Sequence, residues 1–245
     1  MVHLKGVTKI FGPRVILDNI ELRVPEGKVT VVMGGSGHGK STVLKLIVGF
    51  IEPEKGEILI EGENVAGMRQ NARLKVLRKI GMSFQYSALF DSMTVYDNVA
   101  FPLREHTQLD EPEISRRVEE ILVRLGLPGV GDKMPSDLSG GMKKRVGVAR
   151  AIMLQPKIML FDEPESGLDP ITTTSIGELI MEMRDSFKIT CLVISHNLAN
   201  TMRIADKVAM LYKGQIIAEG SPVEIQRNEH PVLQQFLKGE AHGPF

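Results

Sequence analysis

The chain has 245 residues, of which 42% are hydrophobic and 24% charged, and its 30 basic side chains balance 30 acidic ones. This length suits one large domain or two small ones, and a net charge of zero argues against a nucleic-acid-binding protein held by a strong overall field. No apolar stretch reaches the roughly 18 residues that a membrane-spanning helix needs, and the N-terminus lacks the apolar centre of a signal peptide. We therefore expect a cytoplasmic protein that meets a membrane only through a partner.

The first 24 residues predict antiparallel strands. Residues 2–8 and 15–24 alternate apolar and polar side chains on either side of a Gly12-Pro13 turn. Phe11, just before the turn, has two interpretations of equal weight. It is either an aromatic side chain that stacks on a purine or a partly buried turn residue.

A glycine-rich loop follows the next strand. Residues 29–33 predict a buried strand and residues 42–51 a helix with one apolar face. Between them GGSGHGKST, residues 34–42, fits the phosphate-loop pattern GxxxxGK[ST]. We predict that Lys40 reaches the β- and γ-phosphates of a nucleotide and that Ser41 ligates Mg²⁺. The other predicted contacts with the nucleotide are Gly34, Gly35, Ser36, Gly37, His38, Gly39 and Thr42.

Strand and helix patterns alternate after this loop. Residues 57–62 predict a strand with an exposed face, residues 69–79 a charged helix, and residues 80–85 a strand that ends on Gln85. At a strand end beside a phosphate loop, Gln85 is predicted to join the ligand shell of Mg²⁺. We expect it to report the nucleotide state to the segment that follows, an interpretation that a lone glutamine would not support.

Helical patterns dominate from residue 86 to about residue 157. Residues 91–105 and 111–125 carry apolar side chains at helical spacing, and residues 137–154 predict a helix opened by glycines. At its start lie Ser139, Gly140 and Gly141. These residues predict either a second anion site or a plain N-cap. Because one nucleotide hardly needs two cradles, we predict a dimer in which each chain offers this helix to the nucleotide held by the other.

Carboxylates follow a buried strand in the second half of the chain. Residues 158–164 predict a strand that ends in Asp162 and Glu163, at the edge where parallel sheets bind ligands. Asp162 is predicted to hold Mg²⁺, directly or through water, and Glu163 to act as general base on the attacking water. The strand ITCLVIS is predicted to bury Cys191 and leads to His196, which is either structural or a γ-phosphate contact.

The remaining elements complete an α/β pattern. Helices are predicted over 171–187 and 198–205, and a hairpin over 207–220 with its turn at Lys213-Gly214. Strands that alternate with helices predict a mainly parallel sheet with helices on both faces.

Together these motifs resemble the ATP-binding cassette (ABC) ATPases over nearly the whole chain. The glycine loop matches their Walker A motif, Gln85 the Q-loop, LSGGM the signature motif and IMLFDE Walker B with its catalytic glutamate. Residues 166–169, which end in Asp169, match the D-loop, His196 the switch histidine, and Phe11 the adenine-stacking aromatic.

The resemblance implies a P-loop NTPase with a RecA-like core, an N-terminal antiparallel β-subdomain and an α-helical subdomain. It implies one ATPase domain over 1–245, with the core at 1–85 and 151–225, the helical subdomain at 86–150 and a C-terminal tail at 226–245. It further implies a head-to-tail dimer that binds two ATP with Mg²⁺. The helical subdomain would couple this dimer to an integral-membrane permease at the cytoplasmic face of the inner membrane.

A narrower resemblance is to the Mla/MCE phospholipid-transport ATPases. It rests on residues 84–105, on LSGGMKKRVGVARAI and on QQFLKGEAHGP. It implies a phospholipid cargo, an MCE-domain protein and small regulatory subunits as partners. Five apolar residues either receive a permease helix or belong to the core: Leu89, Phe90, Tyr96, Phe101 and Leu103.

Two residues depart from the ABC pattern. Glu165 stands where threonine is usual, and Asn197 where aspartate is common. Glu165 either alters Mg²⁺ affinity or turnover near the γ-phosphate, or faces solvent. Three alternatives to a phospholipid transporter stay open: a transporter of another small substrate, a soluble ATPase of DNA repair or translation, and a weakly hydrolysing, nucleotide-gated interaction protein.

Overall fold

The computed structural model describes residues 1–245. Its strands are β1 (Val2–Phe11), β2 (Arg14–Val24), β3 (Val29–Met33), β4 (Lys55–Ile60), β5 (Glu63–Asn64), β6 (Ile80–Ser83), β7 (Ile158–Asp162), β8 (Thr190–Ser195), β9 (Lys207–Tyr212) and β10 (Gln215–Gly220). Its helices are α1 (Lys40–Ile47), α2 (Gln70–Leu77), α3 (Val95–His106), α4 (Glu111–Arg124), α5 (Gly140–Ile152), α6 (Pro170–Asp185), α7 (Leu198–Ile204), α8 (Pro222–Arg227) and α9 (Pro231–Lys238). No helix is both long enough and apolar enough to span a bilayer.

The central sheet has six strands in the order β10-β9-β3-β8-β7-β6. Strands β6, β7, β8, β3 and β9 are mutually parallel, and β10 pairs antiparallel with β9. Strands β3 and β8 are buried along their whole length, which explains their continuous apolar runs. The predicted parallel α/β sheet is confirmed.

Alternate side chains of this sheet enter two large apolar clusters. Val31, Phe161 and Val193 belong to a cluster of 28 buried residues that includes side chains of α3 to α6. Their neighbours Val32 and Leu160 belong to a cluster of 23 that includes α1 and the N-terminal strands. Because successive strand residues point to opposite faces, the clusters lie on opposite sides, and the predicted helices on both faces are confirmed.

The N-terminal strands form a second sheet in the order β2-β1-β4-β5. All its pairings are antiparallel, as predicted for β1 and β2, and β4 adds to the other edge of β1. Its inward residues Leu4 and Leu17 share a cluster with Leu44 and Leu46 of α1. This packing lays the antiparallel sheet against the helix that follows the glycine loop.

Side-chain caps fix the starts of the three helices between β6 and β7. Thr94 accepts a hydrogen bond from the N–H of Asp97 at α3, Asp110 from Glu113 at α4, and Ser139 from Met142 at α5. Such caps satisfy N–H groups that lack a partner within the helix.

Several predicted boundaries shift. The helix after the glycine loop covers 40–47 rather than 42–51, the strand predicted over 80–85 ends at Ser83, and the helix predicted over 137–154 covers 140–152. The segment 226–245, expected as a tail, contains α9. Helix α9 begins at Pro231, whose ring is well accommodated in a first turn.

Candidate active site

Three strands of the central sheet end at one edge. In the parallel register Met33 of β3 pairs with Ser195 of β8, and Asp162 of β7 pairs with Ile194. The loops that follow these strands therefore emerge together, at the carboxyl edge where open α/β sheets bind ligands.

The loop after β3 has the geometry of an anion cradle. Gly37 and Gly39 have φ of 79° and 100°, in the region that favours glycine. A Cβ at Gly34 would lie 2.2 Å from the carbonyl oxygen of Leu211, so a larger residue would collide with backbone. No side chain caps α1 at Gly39. The N–H groups of Lys40 and Ser41, at the start of this helix, thus remain available to a phosphate.

Lys40 holds a buried ammonium group under this loop. Its side chain is 4% exposed, and Nζ donates to the carbonyl oxygens of Gly34 at 3.0 Å and Gly35 at 2.9 Å. The nearest carboxylate oxygen, on Glu163, is 3.6 Å from Nζ. The cation is thus held in place without being tightly paired, as a group that meets phosphate oxygens requires.

Ser41 and Asp162 form a pair of hard oxygen ligands. Ser41 Oγ donates to Asp162 Oδ1 at 2.9 Å. Burial raises the pKa of the Asp162 carboxyl, a shift opposed by the hydrogen bond from Ser41. No cluster of three or more His, Cys, Asp or Glu side chains is placed to hold a metal alone. This donor set fits Mg²⁺, which commonly takes one or two protein ligands and completes its shell with phosphates and water.

Glu163 lies at the centre of the strand-end loops. Its Oε2 is 3.3 Å from Nδ1 of His196, which follows β8 and has a half-exposed side chain. Gln85, two residues beyond β6, donates from Nε2 to Ser166 at 3.2 Å and to Glu163 Oε2 at 3.4 Å. The structure therefore brings together Lys40, Ser41, Gln85, Asp162, Glu163 and His196, all predicted from the sequence.

The start of α5 lies in a separate place. Ser139 accepts from Met142 N–H at 3.3 Å, and none of its hydrogen bonds reaches the glycine loop. Gly141 packs against Thr172 in the first turn of α6, where an added Cβ would lie 2.6 Å from Cγ2. Asp169 caps that helix by accepting from the N–H groups of Ile171 and Thr172. Ser139, Gly140, Gly141 and Asp169 thus cluster with one another and not around Lys40.

The remaining predicted contacts lie near the loop or on a neighbouring strand. Phe11 ends β1 with its side chain 47% exposed, and the ammonium of Lys9 lies 5.0 Å from the ring centre. The ring of His38 packs edge-on against Tyr212 with centroids 5.1 Å apart. Thr42 donates its N–H to the Gly39 carbonyl at 3.0 Å.

The sequence did not predict that two charged residues, Glu165 and Lys144, are buried. Glu165 is only 4% exposed and accepts a hydrogen bond from Ser195, so the solvent-facing alternative was wrong. Lys144 of α5 is 6% exposed and donates to the Gln85 carbonyl oxygen. A usable signal existed for Lys144, because it lies one helical turn before the buried Val148 on the inward face of α5.

The chain resembles known proteins along its whole length. The family model described as ABC transporter matches residues 17–166. The intermembrane phospholipid transport system ATP-binding protein MlaF of Escherichia coli K12 is 46% identical over 244 residues, which cover 100% of this chain and 91% of the relative. The probable ribonucleotide transport ATP-binding protein mkl of Mycobacterium leprae is 41% identical over 243 residues, covering 99% of this chain and 70% of the relative.

A solved structure shares the fold. The ATP-binding cassette MJ0796, described as a dimer in a post-hydrolysis state bound to ADP and Pi, superposes with a TM-score of 0.83 at 31% identity. The match covers 91% of this chain and 99% of that one.

Proposed function

The chain belongs to the ABC transporter family and is an ATPase, and from that premise we propose that it powers phospholipid transport between membranes. One observation carries the cargo assignment, namely the 46% identity to MlaF along the entire chain. The intact set of Lys40, Asp162, Glu163 and His196 at one sheet edge supports hydrolysis and argues against a nucleotide-gated protein that hardly turns over.

We propose the roles of the side chains from their geometry together with the family resemblance. The loop N–H groups and Lys40 bind the phosphates of ATP, and Phe11 stacks on the adenine. Glu163 acts as general base toward the attacking water, and His196 orients that water and the γ-phosphate. Ser41, Asp162 and Gln85 would hold Mg²⁺, and the bound ion would neutralise negative charge on the phosphates.

We propose that the nucleotide site is completed by a second copy of this chain. Ser139, Gly140, Gly141 and Asp169 are grouped on the α5–α6 side, and none of the hydrogen bonds of Ser139 or Asp169 reaches the glycine loop. The N-terminus of α5 therefore offers its donors outward, toward the nucleotide of a partner in a head-to-tail dimer. The description of MJ0796 as a dimer supports this arrangement.

An apolar groove supports docking of a permease helix. The groove has a volume of about 590 Å³ and lies between α2, β6, α3 and α5. Its apolar side chains include Leu74, Leu77, Met82, Phe84, Phe90 and Phe101. Of the five residues proposed for this contact, Phe90 and Phe101 line it, whereas Leu103 is buried in the core and Leu89 and Tyr96 pack against the core.

The basic side chains of the groove restrict the kind of permease helix that can bind there. Arg78, His106 and Arg150 line it, and no acidic side chain does. An amphipathic permease helix with a carboxylate near its apolar face would match both properties. We propose that this contact holds the ATPase at the cytoplasmic face of the inner membrane, with an MCE-domain protein and small regulatory subunits in the same complex. In this proposal 86–150 is the helical subdomain, 1–85 and 151–225 form the core, and 226–245 is the tail.

The test is purification of the complex from its native membrane in mild detergent, followed by reconstitution into vesicles. We expect a permease, an MCE-domain protein and phospholipid to accompany the chain, and ATP-dependent phospholipid transfer between vesicles. Glu163→Gln should reduce ATP turnover by more than about 100-fold, because the general base is lost, and should retain ATP binding. A sugar, amino-acid or ribonucleotide permease in the purified complex would contradict the phospholipid assignment, and turnover that survives Glu163→Gln would contradict the base.

A further inference from the structure

Glu165 is a buried carboxylate without a role in the reaction described above. It lies in the turn after β7, three residues beyond Asp162. Its Oε1 accepts a hydrogen bond from Ser195 Oγ, and its Oε2 is buried without a hydrogen-bond partner. A buried carboxylate is costly unless other groups compensate its charge. A side chain needed only to fill this space would be apolar, so the carboxylate requires a further explanation.

The hydroxyl of Ser195 joins Glu165 to the residues around His196. Ser195 Oγ accepts the N–H of Asn197 at 3.0 Å, which closes a turn with His196 in the middle. The same hydroxyl lies 3.5 Å from the Asn197 carbonyl oxygen, a long and weak alternative acceptor. The Glu165 carboxylate is the stronger acceptor, so the Ser195 hydroxyl donates its hydrogen bond to Glu165. A lone pair of Ser195 is then directed at the Asn197 N–H.

We propose that Glu165 is a positioning residue of the ATPase site, which fixes the turn carrying His196 through the hydroxyl of Ser195. The proposal rests on the proposed ATPase mechanism, because His196 has its role there. The threonine usual at this position would offer Ser195 no charged acceptor.

The experiment measures steady-state ATP hydrolysis by the purified permease complex that carries E165Q or E165T. Gln keeps the size of Glu165 and an acceptor for Ser195 but loses the charge. Thr loses the charge and is also shorter than Glu165. We expect E165T to lower kcat about tenfold and E165Q by a smaller factor, with KM for MgATP changed less than about twofold. The reason is that one charge-assisted hydrogen bond is lost at a residue that does not touch ATP. E178Q makes the same chemical change at an exposed position of α6 and should leave both constants unchanged.

Hydrogen–deuterium exchange without nucleotide gives a second readout. We expect faster exchange of the peptide over 194–200 in E165T and in S195A, with the rest of the chain and the E178Q control unchanged. The double variant E165T/S195A should be no slower in turnover than the slower single variant, because both act along one route.

Three results would overturn the proposal. They are a wild-type kcat in E165T, losses in E165T and S195A that multiply in the double variant, and a lower melting temperature with unchanged kcat and local exchange. A failure of the proposed ATPase function would be distinguished from these results, because the wild-type complex would then hydrolyse no ATP.

Discussion

Glu163 has φ of 44°, in the left-handed region that few residues other than glycine adopt. Its backbone N–H donates to the Ile194 carbonyl at 3.0 Å, which continues the pairing of β7 with β8. Such a conformation costs about 1–3 kcal/mol and persists where the surroundings determine it. The sheet, and not the preference of the residue, therefore holds the carboxylate between Lys40 and His196.

His38 is the residue of the glycine loop most sensitive to pH. Its Nδ1 is buried without a hydrogen-bond partner, and its ring packs against Tyr212 and Phe245. Burial lowers the pKa of His38 below its usual 6.5, and the charges of Lys40 and Lys213 lower it further, while the backbone of Leu211 acts in the opposite direction. The folded loop thus favours the neutral ring.

The titration of His38 predicts a pH dependence of stability in the nucleotide-free protein. Because the unfolded chain binds a proton at His38 more readily than the folded chain, the contribution of His38 is fully present above pH 6.5 and is lost as the pH falls below it. His38→Gln should flatten the dependence of the urea midpoint on pH below about pH 6.5. His242→Gln, at an exposed site, should leave the wild-type curve unchanged. Parallel curves for wild type and His38→Gln would contradict the prediction.

Among the elements, the turn between β6 and α3 depends on one arginine of α5. Ser87 and Ala88 have φ of 61° and 47°, which strains the backbone. Arg150 donates to the carbonyl oxygens of Ser87 at 3.1 Å and Ala88 at 2.8 Å, and to Asn98 Oδ1 at 3.3 Å. Its guanidinium fork thus fastens the rim of the apolar groove to two helices.

Arg150→Lys should destabilise this turn while it keeps the positive charge. A lysine cannot reproduce the fork of donors, so we expect about 1–3 kcal/mol of unfolding free energy to be lost. In the permease complex, the coupling of ATP hydrolysis to transport should weaken because the groove rim is released. Urea unfolding and vesicle transport assays measure the two effects. Arg69→Lys, at an exposed residue without an ion pair, is the matched control, and equal stability of the two variants would contradict the role of Arg150.

The sequence predicted those elements whose local pattern is unambiguous. The loop around Lys40 was predictable because a glycine pattern lies between a β-branched run and a helical one. The order of β3, β7 and β8 in the sheet was not, because all three are similar apolar runs whose neighbours depend on long-range pairing. The burial of Glu165 was equally hidden, since its partner Ser195 is distant along the chain.

On the scale of the whole molecule, the two groups of residues that we propose for the nucleotide site lie on different parts of the chain. Lys40 and Ser41 lie where α1 packs under the antiparallel sheet, whereas Ser139 begins a helix that packs with α3, α4 and α6 on the opposite face of the central sheet. In the dimer that we propose, each group therefore faces the other group of the neighbouring chain and not that of its own chain. Two copies related by a two-fold axis satisfy both at once.

This arrangement predicts rescue between two inactive variants. Lys40→Ala should abolish nucleotide binding, and Ser139→Arg should block the contact that the helix offers to the partner's nucleotide while its own loop stays intact. In a mixed dimer, one site combines Lys40 of one chain with Ser139 of the other and is undamaged, while the second site carries both defects. For equal mixing and independent sites, half of the dimers have one working site of two, so ATP turnover should return to about a quarter of the wild-type value.

The assay is ATP hydrolysis by complexes assembled from differently tagged chains, with each variant alone as control. Activity no greater than the sum of the two variants alone would show that Lys40 and Ser139 do not meet across the dimer.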